Sequence, residues 1–114
     1  MIRKMCKSKI IRARVTDKSL YYQGSLGIAQ DILEAADIMK GEHILVANLS
    51  NGNRFETYAI CEDKGKIVLN GAAARLGEIG DELIILSFGY YDKDEFKDYK
   101  MINIQLDEDN NIRV

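Results

Sequence analysis

The segment VTDKSLYYQGS, Val15 to Ser25, decides how this chain is read. Immediately before it, Lys9 to Val15 alternates, with Arg12 and Arg14 on one face and Ile11, Ala13 and Val15 on the other, which predicts a strand. By the same parity Lys9 falls on the apolar side. It is either a lysine at a strand end whose head reaches water or a cation at the rim of a pocket. Leu20 to Gln23 reads as more strand, interrupted at Gly24, where a missing side chain opens dihedrals closed to other residues. By itself, Gly24-Ser25 is a turn ahead of a helix.

Beyond Ser25 the period changes. From Ile28 to Met39, Ile28, Ile32, Leu33 and Ala36 share a helical face, Asp31 and Glu34 lie toward the positive end, and Gly41 is the stop. Ile44 to Asn48, Arg54 to Glu62, Lys66 to Leu69 and Glu82 to Phe88 read as strands, parted by turn signals at Asn51-Gly52, Lys64-Gly65 and Gly80-Asp81. Asp92 to Lys100 predicts one or two helical turns, Met101 to Leu106 a further strand, and Asp107 to Asn111 a solvated turn. Short, closely spaced strands favour a closed barrel, which leaves no unpaired edge. The expectation is a mainly β chain forming one domain over residues 1–114, with residues 90–114 as a C-terminal appendage and no internal repeat.

Composition narrows the function. The net charge of -2 gives no general reason for nucleic-acid binding. No apolar run is long enough to span a membrane, and the basic N-terminus lacks the apolar stretch of a secretory signal, so a cytoplasmic protein is expected. Cys6, Cys61 and the lone His43 offer no metal-ligand spacing, so no metal is expected and both thiols read as small, buried or half-buried residues.

Chemistry is carried by three segments: VTDKSLYYQGS, then NGNRFETYAI at Asn51 to Ile60, then LNGAAA at Leu69 to Ala74. No His or Asp is spaced to make Ser25 a conventional hydrolase nucleophile, but a serine hydroxyl can attack the carbonyl that precedes it. With the opening MIRKM and the run GDELIILSF at Gly80 to Phe88, these segments resemble the aspartate 1-decarboxylase family over residues 1 to about 90.

The resemblance implies a double-psi β-barrel with one or two short helices, assembled as a homotetramer. It implies an inactive precursor that cleaves itself between Gly24 and Ser25, turning Ser25 into a covalent pyruvoyl group, with no metal and no pyridoxal phosphate. The pyruvoyl carbonyl would take L-aspartate as a Schiff base and yield β-alanine for pantothenate and coenzyme A. By the same resemblance Tyr58 is the proton donor; Lys9, Arg54, Thr57, Gly71, Ala72 and Ala73 bind substrate; and Tyr22, Gly24, Thr57 and Asn70 serve self-processing together with Ser25.

Strand geometry qualifies these roles. Arg54 and Tyr58 share parity but lie about 13 Å apart, so Arg54 must lean along the strand to share a small substrate. Thr57 has the opposite parity and needs a twist, a bulge or a backbone contact. The chain departs from the family pattern at Ile11, where many relatives carry histidine, and at Ala47, where many carry an aromatic. Two other readings stand beside this one: a non-catalytic barrel that binds a partner through its basic N-terminal stretch, and a decarboxylase shifted to another acidic substrate.

Overall fold

The computed structural model describes residues 1–113. Its strands are β1 (Arg3–Arg14), β2 (Asp17–Ser19), β3 (Ser25–Ala29), β4 (His43–Asn48), β5 (Arg54–Glu62), β6 (Ile67–Asn70), β7 (Glu82–Tyr91) and β8 (Ile102–Gln105). Helices α1 (Gln30–Ala36) and α2 (Lys93–Phe96) and a 3-10 helix over Gly71–Arg75 complete the chain.

The strands form a single sheet in the order β2-β6-β3-β5-β4-β7-β1-β8. Because β2 follows β1 after two residues, the chain itself joins the two ends of the run β6-β3-β5-β4-β7, and the sheet closes into a barrel. Exchanging β1/β2, β3 and β4 for β5, β6 and β7 maps every barrel pairing onto another. The parallel pair β2·β6 becomes β5·β3, the antiparallel pair β1·β7 becomes β5·β4, and β3·β6 and β4·β7 map onto themselves. A short helix follows the second strand of each half. This interlocked two-fold arrangement is a double-psi β-barrel, and it is an internal repeat that the sequence does not display.

Ile10, Ala13, Leu26, Ile28, Ile44, Val46, Ile67, Leu69, Leu83 and Ile85 point inward and are fully buried. Their burial supplies the main driving force for closure.

Several sequence expectations need correction. Leu20 to Gln23 is not strand: β2 ends at Ser19 and the chain turns, with the Tyr22 amide donating to the Ser19 carbonyl at 3.4 Å. Ile28 and Ala29 belong to β3, so the helix starts only at Gln30. It ends at Asp37, which takes the left-handed conformation (φ 55°) ahead of Gly41. Gly24 is not among the glycines with positive φ. Cys61 is exposed and Cys6 half-buried.

The parity assigned to Lys9 also fails. Arg12 adopts φ 68° and the β1·β7 register shifts between Ile11 and Ala13. This bulge inserts one residue, so Ile10 and Ala13 both face the core while Lys9 and Ile11 face out.

The C-terminal residues are stitched to the barrel. β8 runs parallel to β1, Leu106 is fully buried, and Asn110 bonds the Arg14 amide and carbonyl at 2.8 and 2.9 Å. Among the described residues no helix is long and apolar enough to cross a membrane.

Candidate active site

Ser25 opens β3, where it pairs with Asn70 at the end of β6. Leu26 and Ile28 enter the core, so Ser25 stands on the opposite face, yet it is fully buried. Its hydroxyl is held from two sides. Asn70 Nδ2 donates to Oγ at 3.1 Å, and Oγ donates to the Gln23 carbonyl at 3.4 Å. Asn70, itself 3% exposed, has few other ways to satisfy its amide, so the pair fixes the Ser25 rotamer.

Gly71 determines how the segment before Ser25 lies. It has φ +61°, and a Cβ there would sit 2.7 Å from Gly24 Cα, 2.8 Å from Gly24 N and 2.9 Å from the Tyr22 carbonyl oxygen. Only a residue without a side chain lets the 3-10 helix close on the Gly24-Ser25 peptide. Gly24 itself meets no such obstacle, since a Cβ there has open space. The constraint that sequence reasoning assigned to Gly24 belongs to its neighbour.

Beside this contact is a cavity of about 370 Å³ lined by Gly24, Phe55, Glu56, Thr57, Ala72, Ala73 and Leu76. Thr57 faces inward with Phe55 and Ala59, as its parity requires, and reaches the Gly24 side through the barrel mouth without a bulge. The structure therefore brings together Gly24, Ser25, Thr57, Asn70, Gly71, Ala72 and Ala73. Phe55, Glu56 and Leu76 are wall residues that sequence reasoning missed; the alternation of β5 alone would have put Phe55 beside Thr57.

Tyr58 and Arg54 lie on the outer face of β5, both exposed. The parallel β3·β5 ladder begins with the pair Leu26 and Ala59, so Ser25 and Tyr58 are the residues immediately before its first pair. Arg54 pairs with Ala47. Neither Arg54 nor Lys9 has an ion-pair partner among the described residues, which leaves both cations available to a carboxylate.

Lys9 does not join the group. It pairs with Leu86 on β7 and Asn103 on β8 and is not among the residues lining the cavity; the strands between it and Ser25 are β7, β4 and β5 one way round, and the other way the path runs up β1 to β2 and then across β6. Tyr22 is 56% exposed, outside the cavity, and its carbonyl rather than its ring lies against Gly71. On the outer face, Ile11 and Ala47 flank Ile84 in one row with Arg54, while Lys9, Leu86 and Leu45 form the next row with Glu56.

Among the described residues no cluster of His, Cys, Asp and Glu is placed to hold a metal ion. The surroundings of Ser25 do suit a small carbonyl group in its place: a buried amide donor from Asn70, and a backbone cradle that Cβ atoms would fill.

Comparison with known proteins extends this picture. The model of the aspartate decarboxylase family matches residues 1–113. Aspartate 1-decarboxylase of Thermosipho africanus is 56% identical over 100 residues, covering 86% of this chain and 83% of that protein. The protein of the same name from Kosmotoga olearia is 52% identical over 106 residues (91% and 92% covered), and that from Staphylococcus aureus strain Newman 47% over 112 residues (96% and 88%). Among solved structures, the rationally designed mkDPBB_sym_86 protein gives a TM-score of 0.48 at 9% identity, covering 68% of this chain and 91% of that one.

Proposed function

The chain belongs to the aspartate decarboxylase family, and from that premise we propose that it converts L-aspartate to β-alanine and carbon dioxide through a pyruvoyl group made from its own Ser25. β-Alanine would feed pantothenate and coenzyme A synthesis in the cytoplasm. The observation that carries this reading is the buried Ser25 hydroxyl, fixed by Asn70 and pressed against Gly71 beside a small cavity.

Maturation follows from the positions of the atoms. With its hydrogen aimed at the Gln23 carbonyl and one lone pair taken by Asn70, Oγ keeps its other lone pair for the Gly24 carbonyl carbon. Thr57, on the same cavity, donates to the oxyanion that forms. Addition of Oγ to the Gly24 carbonyl carbon gives that oxyanion; its collapse breaks the peptide C–N bond while the hydroxyl proton passes to the departing nitrogen, leaving an ester and a free amine. Elimination then releases Gly24 as a carboxylate, and water displaces ammonia to give the pyruvoyl carbonyl. That carbonyl supplies an electron sink for decarboxylation and removes the need for a separate cofactor.

The remaining residues bind substrate and move protons. Ala72, Ala73 and Gly71 bring backbone groups to the substrate. Arg54 takes a carboxylate with its two-pronged guanidinium, and the Tyr58 hydroxyl returns a proton to the carbon that lost carbon dioxide. Lys9, which does not line the cavity of its own chain, acts on the site of a neighbouring copy within a homotetramer. The half-buried apolar row of Ile11, Ile84 and Ala47 around Arg54 supports a covered outer face.

Three measurements test these assignments. Purified, matured protein incubated with L-aspartate is expected to release β-alanine faster than it releases the corresponding products of glutamate or cysteine sulfinate. Because Ala47 leaves room opposite Arg54, aspartate being the poorest of the three would favour a shifted substrate and sink the assignment.

Gly71→Ala is expected to slow cleavage at Gly24-Ser25 at least tenfold and to lower stability by about 1–2 kcal/mol, because the left-handed conformation and the backbone contact both resist a methyl group. Timed mass spectra and denaturant unfolding measure both, and unaltered cleavage would remove Gly71 from maturation.

Subunit mixing tests the shared site. Lys9→Ala and Ser25→Ala chains, each nearly inactive alone, should regain activity when co-assembled, since one supplies the pyruvoyl group and the other the lysine. No recovery in verified mixed oligomers would return Lys9 to a within-chain or structural role.

A further inference from the structure

His43, the only histidine of the chain, stands directly opposite Tyr58 in the antiparallel β4·β5 ladder. Residues so paired have Cβ atoms about 4.5–5.5 Å apart. The His43 Nε2 lies 2.8 Å from Glu56 Oε1, and Glu56 is two residues before Tyr58 on the same outer face. This contact engages Nε2 and leaves Nδ1 as the nitrogen free to meet another neighbour.

We propose that His43, oriented by Glu56, is a positioning residue that restores the proton of Tyr58 after each turnover. The proposal rests on the reading of Tyr58 as the proton donor. Once the Tyr58 O–H has given its proton to carbon, the phenolate oxygen takes the proton of imidazolium Nδ1, and the neutral imidazole recovers one from water. Glu56 keeps the ring turned, with Nε2 engaged and Nδ1 left for the transfer. A phenolate beside a cation is also a better leaving base for the proton, so the pair assists delivery as well as recovery.

The other charges around His43 do not displace this role. A cavity of about 420 Å³ brings it near Lys4, Lys7, Glu42, Phe88 and Tyr90. Lys7 is bound 2.9 Å from Glu42 and donates to the Asp37 carbonyl, and Lys4 lies 4.8 Å over the Phe88 ring. Glu56 is therefore the acidic group in direct contact with the imidazole, and Tyr58 and Tyr90 are the hydroxyls on the flanking strands.

A single histidine gives a single set of imidazole signals, so NMR titration of the Ser25→Ala precursor observes the pair without any turnover. Its ring nitrogen shifts are expected to show Nε2 protonated in the neutral form. Glu56→Gln and Tyr58→Phe are each expected to shift the ring signals.

In the matured protein, His43→Gln is expected to process normally and keep KM within about twofold. It should lose about tenfold in kcat on the acid side and flatten the limb along which kcat falls as pH rises. Wild-type protein that makes no β-alanine would overturn the functional reading as a whole. Wild-type activity together with a His43→Gln profile identical to it, or an imidazole indifferent to both Glu56→Gln and Tyr58→Phe, would overturn this proposal alone.

Discussion

Ser25→Ala is expected to leave one uncleaved chain and no β-alanine formation. The loss is complete, because Thr57, the other hydroxyl on this cavity, is not joined to the Gly24 carbonyl by a peptide bond, and nothing else in the chain can supply the carbonyl group. Folding should survive. Alanine fits the buried site and removes two hydrogen bonds, at 3.1 and 3.4 Å, leaving the Asn70 amide short of a partner. An unsatisfied buried donor costs about 1–3 kcal/mol, a modest loss for a closed barrel. Mass spectrometry, unfolding and product assay on one preparation separate the effects. Cleavage persisting in this variant would place the scissile bond elsewhere.

Tyr58→Phe should divide maturation from turnover. The ring stays in place one residue before the start of the β3·β5 ladder and only the hydroxyl goes, so cleavage should proceed and the two fragments should stay associated. Loss of a positioned proton donor is expected to lower kcat by about 10²–10⁴-fold with little change in KM. Arg54 is unaffected by the change, so substrate binding gives an internal control. A Tyr58→Phe enzyme at near wild-type kcat would shift the donor role to another group or to water.

What was legible in the sequence followed local periodicity and chemistry. The strand predicted from Arg54 to Glu62 has those bounds in the structure, and its alternation put Thr57 on one face and Arg54 and Tyr58 on the other. The contact between the Asn70 to Ala73 segment and Gly24-Ser25 came through the family resemblance, and the structure gives its cause in the Ser25–Asn70 pair and the missing Cβ of Gly71.

What was not legible depends on pairing. A bulge at Arg12 reverses the face of Lys9, and nothing in an alternating string announces one extra residue. The absence of Lys9 from the cavity beside Gly24 follows from strand pairing, which local signals do not encode. The neighbours His43 and Tyr58 are 15 positions apart and meet only because the β4–β5 hairpin has this register. The two-fold repeat of the barrel lies in pairing topology and leaves no matching residues.

Ile11 and Ala47 acquire a physical setting from the same register. Both sit on the outer face around Ile84, in line with Arg54, and not in the cavity that holds Thr57. On the proposed reading, any effect they have on specificity acts through the face that carries Arg54, and maturation at Gly24-Ser25 is assigned to Asn70, Gly71 and Thr57.

The central claim is that this chain makes its own catalytic carbonyl at residue 25. The most direct test is the intact mass of the purified protein, before and after incubation and borohydride treatment. The account predicts two fragments, Met1 to Gly24 and a larger one from position 25 onward, with the larger beginning in a carbonyl that borohydride reduces. A chain that stays whole, or a larger fragment that keeps an unreactive N-terminal serine, would contradict it.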